Sequence, residues 1–156
     1  RRAKSLIVLA KKIWPYPSIE SDALELYREF KKKKLPTEYT LEHYKFLTDD
    51  VLTLYKSLER RVRNLEPNIE VEFRKYRIAF KAQANFLDIN VQKSGLKLFF
   101  YMDFEEVIDP RGLCRDVSGI GRWARGTVEV KLPVGGDISY IMDLIEQSYE
   151  AQGEAA

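Results

Sequence analysis

The sequence has one cysteine, Cys114, and one histidine, His43. A single cysteine excludes an intramolecular disulfide framework and fits a reducing compartment. A single histidine excludes a His-His metal site and leaves one conceivable Cys/His pair. Long apolar runs are missing as well: none approaches the ~20 residues needed to span a bilayer. Leu6 to Ala10, after Arg1-Arg2, faintly resembles a signal peptide, but Lys11-Lys12 interrupts it and no small-residue cleavage site follows. The expected location is the cytoplasm, with no membrane partner. An excess of one charge is also absent. The 26 basic and 24 acidic residues give +2, which argues against a wholesale polyanion binder but leaves room for a local basic patch. The chain does not begin with Met and is read as a piece of a longer protein.

What is present suits one domain with a sizeable core, plus a fragment of a second: 156 residues, 45% of them hydrophobic. Residues 2–13 read as a short helix, with Leu6, Leu9, Ala10 and Ile13 on one face. Pro15 and Pro17 end it. Ser21-Asp22 caps a second helix carrying Leu24, Tyr27 and Phe30, which runs into the lysines at 31–34. Leu35-Pro36-Thr37 breaks the pattern. The expected division is a helical segment over 1–36, the tail of a preceding domain with its linker, and a domain over 37–156. Thr48-Asp49-Asp50 starts the clearest helix, with Val51, Tyr55, Leu58, Val62 and Leu65 as its stripe and Pro67 as its close.

The period then changes to two. Tyr76, Ile78 and Phe80 alternate with charged residues, as do Leu87, Ile89 and Val91, and then Leu96, Leu98, Phe100 and Met102. Ala82-Gln83-Ala84 and Gln92 to Gly95 supply turns. Thr127 to Leu132 forms a further strand. Asp137 caps a last helix with the stripe Ile138, Ile141, Met142, Ile145 and Tyr149, and the chain frays from Gln152. The predicted fold is α+β: an antiparallel meander sheet of about four strands with helices packed on one face, plus the N-terminal helical segment. The alternation leaves the other sheet face polar or partly covered.

The segment Asp109 to Gly126 is the most unusual, with four arginines, one tryptophan and four glycines in eighteen residues. Arginine forks match phosphate or carboxylate, tryptophan offers a stacking face, and glycine lets a backbone approach a ligand. Read as a binding loop, its contacts are Arg111, Arg115, Arg122, Trp123 and Arg125, with Lys81, Lys93 and Lys97 as phosphate partners. Read as architecture, it folds over the sheet edge with Trp123 as a core plug and the arginines paired to Asp109 and Asp116.

Other chemistry is thinner. Glu129-Val130-Lys131 places two charged side chains on one strand face, as in Mg²⁺-dependent nucleases of the PD-(D/E)xK kind, with Asp103, Asp109 or Asp116 as the upstream acid. Any amphipathic strand yields the same triplet, and the order of elements does not suit that fold. Arg111 and Arg115 flank Cys114 and would lower its pKa, yet a lone cysteine is commonly a small buried apolar residue. His43 reads as a structural hydrogen-bonder. Ser118 lacks the strand-turn-helix setting of a nucleophile elbow, and Gly119-x-Gly121 is too short for a nucleotide fingerprint. No catalytic set is complete, and no cofactor or metal is expected.

Several stretches together resemble a known family. They are Tyr76 to Lys81, Asn85 to Ile89, Gln92 to Leu98, Asp109 to Gly121 and Tyr140 to Ile145. Over about residues 40–150 the chain is similar to a bacterial and archaeal domain of unknown function. That domain closes proteins labelled predicted transport proteins and occurs at the C-terminus of GmrSD-like restriction proteins. Residues 1–17 resemble the tail of an HNH-type nuclease domain. The family pattern has a His and a Gly-Asn pair around the tryptophan, where this chain has Arg122, Trp123, Ala124 and Arg125; the basic replacement leans toward anion binding. The resemblance implies a non-catalytic accessory module of a DNA-targeting restriction or phage-defence protein, with DNA and the parent's upstream domains as partners. The alternatives are a protein-interaction or dimerisation domain, docking through strand 96–102 and the first helix onto another subunit, and the Mg²⁺-dependent nuclease.

Overall fold

The structure, a computed structural model, describes residues 38–120 and 126–154. The chain divides into two units, Arg1–Glu38 and Tyr39–Ala156, and the second holds every element described below. The helices expected over 2–13 and 21–34 lie outside the described residues, as do Arg122, Trp123 and Arg125.

Helix α1 spans Asp49–Arg63 and follows Thr48, whose extended backbone makes the cap although its side chain forms no capping bond. Asp49 and Asp50 sit in the first turn and Arg60, Arg61 and Arg63 in the last, each complementing the local end of the helix dipole. Val51, Leu54, Tyr55, Leu58 and Val62 form the buried stripe. Helix α2 spans Ile138–Glu154, and its Tyr140 amide donates to Asp137 Oδ1 at 3.1 Å, the expected cap. It continues past Gln152, where fraying was expected, because the Gln152 amide donates to the Tyr101 carbonyl and holds the last turn.

Six strands form one antiparallel sheet in the order β1-β2-β3-β4-β6-β5. They are β1 (Glu70–Phe73), β2 (Ile78–Lys81), β3 (Asn85–Gln92), β4 (Gly95–Phe100), β5 (Arg115–Asp116) and β6 (Val128–Pro133). The expected meander is present, but the count of about four is too low because both edge strands are short: β1 is four residues, with Val71 and Phe73 alternating with Glu70 and Glu72. β1 is only half-buried, and β5 is two residues inside the long connection.

Pairing places Ile78 and Phe80 of β2, Leu87, Ile89 and Val91 of β3, Leu96, Leu98 and Phe100 of β4, and Val128, Val130 and Leu132 of β6 in register on one face. Both helices cover that face, and these residues join their stripes in one core. Each such side chain, fully buried, contributes roughly 1.5–3 kcal/mol. Ser148 of α2 sits at the heart of this packing. Its hydroxyl donates to the Phe86 carbonyl at 2.6 Å and accepts from the Tyr101 amide at 2.9 Å, joining α2 to β3 and to the end of β4.

At the other end, a 3-10 turn, Leu41–His43, braces the β1–β2 hairpin. The Tyr44 hydroxyl donates to the Arg77 carbonyl at 2.7 Å, and His43 Nε2 lies 3.0 Å from the Lys75 carbonyl. His43 is therefore a structural hydrogen-bonder, as its setting suggests.

Candidate anion-binding face

The face turned away from the helices is built in rows, because residues paired across antiparallel strands point the same way. One row runs Glu72, Ala79, Asp88, Phe99, Glu129, Arg115 across all six strands. The next is Asn90, Lys97, Lys131, and the last is Gln92, Gly95, Pro133.

The first row holds two buried carboxylates. Asp88 is fully buried; Arg77 Nε lies 3.2 Å from its Oδ1, and the Tyr101 hydroxyl donates to its Oδ2 at 2.8 Å. Burial, then the Asp88 charge, pushes the Tyr101 hydroxyl up to about 12. Glu129 is 5% exposed and receives two cations, Arg115 at 3.2 Å on Oε1 and Lys97 at 3.5 Å on Oε2. Phe99, between the two carboxylates, packs with Val117 in a small second cluster.

The second row puts Lys97 directly opposite Lys131. Like charges in facing positions of a sheet are destabilising. Lys97 is drawn to Glu129, whereas Lys131 is exposed and has no ion pair among the described residues. Beyond the lysines, Gly95 and Pro133 leave a recess of about 240 Å³, lined also by Gln92, Ser94, Lys97 and Lys131. Only glycine fits at position 95, since a Cβ there would lie 2.3 Å from the Leu132 carbonyl oxygen.

The predicted contacts separate on this framework. Lys97 and Arg115 come together on Glu129. Lys93 is exposed in the two-residue turn between Gln92 and Gly95, beside the recess. Lys81 is exposed at the end of β2, two strands from β4. Arg111 belongs to another cluster: its guanidinium donates to Asp137 at 2.9 Å and stacks 4.2 Å from the Tyr140 ring centre. In that cluster the Tyr140 hydroxyl donates to Asp109, and the Cys114 amide donates to Asp109 Oδ2 at 2.6 Å. Burial raises the pKa of Asp109, but the Tyr140 hydroxyl and the Cys114 and Leu113 amides outweigh it and hold the carboxyl below its ordinary value. Gln147 clamps the same loop through both backbone groups of Ile108, at 2.8 and 3.0 Å.

One expectation changes here, and two weaker alternatives gain no support. The described arginines pair with Asp137 and Glu129 where Asp109 and Asp116 were expected. Cys114 is not activated: burial, then the Asp109 carboxylate, pushes its thiol up to about 12, because both neighbouring arginines point to other carboxylates. Glu129 and Lys131 do share a face, but the carboxylate is already engaged by two cations. Asp103 caps the 3-10 turn Phe104–Glu106, and Asp109 is bound to Tyr140. Among the described residues no three His, Cys, Asp or Glu side chains gather as a group that could hold a metal. Asp88, Arg77, Tyr101, Asn90 and the Lys97–Lys131 pairing escape the sequence reading. The two-residue turn does fix Asn90 opposite Lys97, so that part is available from the sequence.

Residues 41–152 match the family described as Domain of unknown function (DUF5655). The chain belongs to this family. It is also 33% identical over 133 residues to a Haemophilus influenzae protein described as uncharacterized, an alignment covering 85% of this chain and 44% of that protein. The chain thus spans less than half the length of this relative. No solved structure matches it. Among the described residues no helix of this DUF5655 chain is long and apolar enough to cross a membrane.

Proposed function

We propose that this domain is a non-catalytic accessory module of a larger DNA-targeting protein, of the restriction or phage-defence kind, and that it contributes nucleic-acid binding through the sheet face opposite the helices. The observation that carries this reading is the facing pair Lys97–Lys131. With Arg115 they set three cations against the single carboxylate Glu129, an excess of two positive charges, and Lys93 stands exposed beside them. A phosphate backbone supplies the missing counter-charge and relieves the repulsion. Asn90 and Gln92 add amide donors and acceptors on the same rows. The long relative is consistent with a parent that carries further domains.

The test is a titration of the full chain with duplex and single-stranded DNA across a salt series. Binding is expected to weaken with salt at a slope of about −0.7 to −0.9 per phosphate contacted. Lys131→Gln should reduce that slope by about one contact and weaken all sequences alike. No binding to either form at low salt would overturn the reading.

A second reading, a protein-interaction surface, is favoured by a different observation. Strand 96–102 cannot serve as the docking edge, because β4 lies inside the sheet with its leucines in the core. Ile108 is 74% exposed, and Leu113 is also exposed; the bonds from Gln147 and to Asp109 hold the loop that presents them. Light scattering that shows a dimer, converted to monomer by Ile108→Ser, is the result expected on this reading; an unchanged mass counts against it.

A further inference from the structure

We propose that the recess bounded by Gly95 and Pro133 receives a phosphate monoester, the terminal group of a nucleic-acid strand or of a nucleotide. This deepens the reading above and rests on it for the identity of the polymer, though not for the phosphate.

Size comes first. The recess of about 240 Å³ lies below the roughly 300–1,000 Å³ typical of sites for drug-sized ligands, so it suits a phosphoryl group with little beyond its sugar. The Val134 amide donates to the Ser94 carbonyl at 3.0 Å, which ties the turn after β6 to the turn before β4 and fixes the backbone beside the recess.

Charge selects the monoester. A monoester carries about −1.5 to −2 at neutral pH, against one negative charge for a diester. Lys97 and Lys131 both line the recess from neighbouring positions on adjacent strands, and of the two only Lys97 has an ion pair among the described residues. With Arg115, which shares Glu129 with Lys97, the cluster carries an excess of two positive charges, and a dianion matches it. Gln92 and Ser94 also line the recess, together with Leu96 and Leu132. The close approach of β4 to β6 at Gly95 leaves no space for a side chain that would fill the hollow.

The experiment uses the full chain and fluorescence anisotropy on one single-stranded oligonucleotide, labelled at its 3′ end, bearing either a 5′-phosphate or a 5′-hydroxyl. A nucleoside 5′-monophosphate and inorganic phosphate serve as competitors. The phosphorylated strand is expected to bind about tenfold tighter, the factor that one good charge-assisted contact supplies. Lys131→Gln should abolish that difference and Lys131→Arg should retain it; position 131 is exposed, so both variants keep the core intact. Equal affinity for the two ends in the unaltered chain overturns the recess as a monoester site while leaving nucleic-acid binding standing. If neither strand binds but the nucleoside monophosphate does, and Lys131→Gln abolishes it, the recess assignment holds and the nucleic-acid reading fails. No binding of any of these probes overturns both.

Discussion

At the scale of single residues, Asp88 shows how a charge survives on a sheet that buries most of its surface. It has a cation on one oxygen and a phenol on the other. Both partners are needed, because a buried carboxylate without them would carry its full desolvation cost. Replacing it with Ala would leave Arg77, whose side chain is 15% exposed, facing a hole. We expect Asp88→Ala to destabilise the domain by roughly 3 kcal/mol, read as a lower urea midpoint with an unchanged slope. A loss under about 0.5 kcal/mol, the usual size for a surface change, would mean the pair is solvated in solution. Lys97 and Arg115 are legible in the sequence as cations because any exposed basic residue is a candidate. Their shared partner Glu129 is not, because nothing local in Glu129-Val130-Lys131 says which strand lies alongside.

At the scale of elements, legibility follows the distance over which each signal acts. The α1 stripe and the β3–β4 hairpin depend on spacings within a few residues, and both stand in the structure as the periodicity predicts. β1 does carry a signal, since Val71 and Phe73 alternate with Glu70 and Glu72, but the run is only four residues long and easily passed over. β5 gives none, because its pairing with β6 is made across the connection, with no periodicity of its own. Ser148 carries a similar lesson: a serine on the apolar face of α2 looks like an interruption, yet it bonds two strands at once. Ser148→Ala should cost about 1–3 kcal/mol by leaving the Tyr101 amide and Phe86 carbonyl short of a partner. Faster amide hydrogen exchange at Tyr101 would locate the loss; uniform exchange would count against the assignment.

At the scale of the whole molecule, buried phenols couple stability to alkaline pH. Burial pushes the hydroxyls of Tyr44 and Tyr101 up to about 12 from the ordinary 10.0, against the Arg74 backbone and Arg77 at Tyr44 and reinforced by Asp88 at Tyr101. In that window the folded chain holds protons that the unfolded chain has released. Their contribution is therefore complete below pH 10.0 and is lost as pH rises toward 12. The urea midpoint should fall steadily across this range, and less steeply in Tyr101→Phe. A midpoint that does not move with pH there would show that these hydroxyls are open to water.

The Lys93-Ser94 turn sets the phase of everything after it. Because side chains alternate across a strand, a single inserted residue there would turn β4 over, carrying Lys97 and Phe99 into the core and Leu96 and Leu98 out. Core face and outer face are thus encoded by one parity, and no insertion in the hairpin can alter one without the other. The chemistry of this face diversifies by exchanging side chains such as those at 88, 90, 97 and 99 and at 129, 131 and 133, while 95 stays glycine. Changes of length are left to the connection between β4 and β6, which is the longest between neighbouring strands of the sheet.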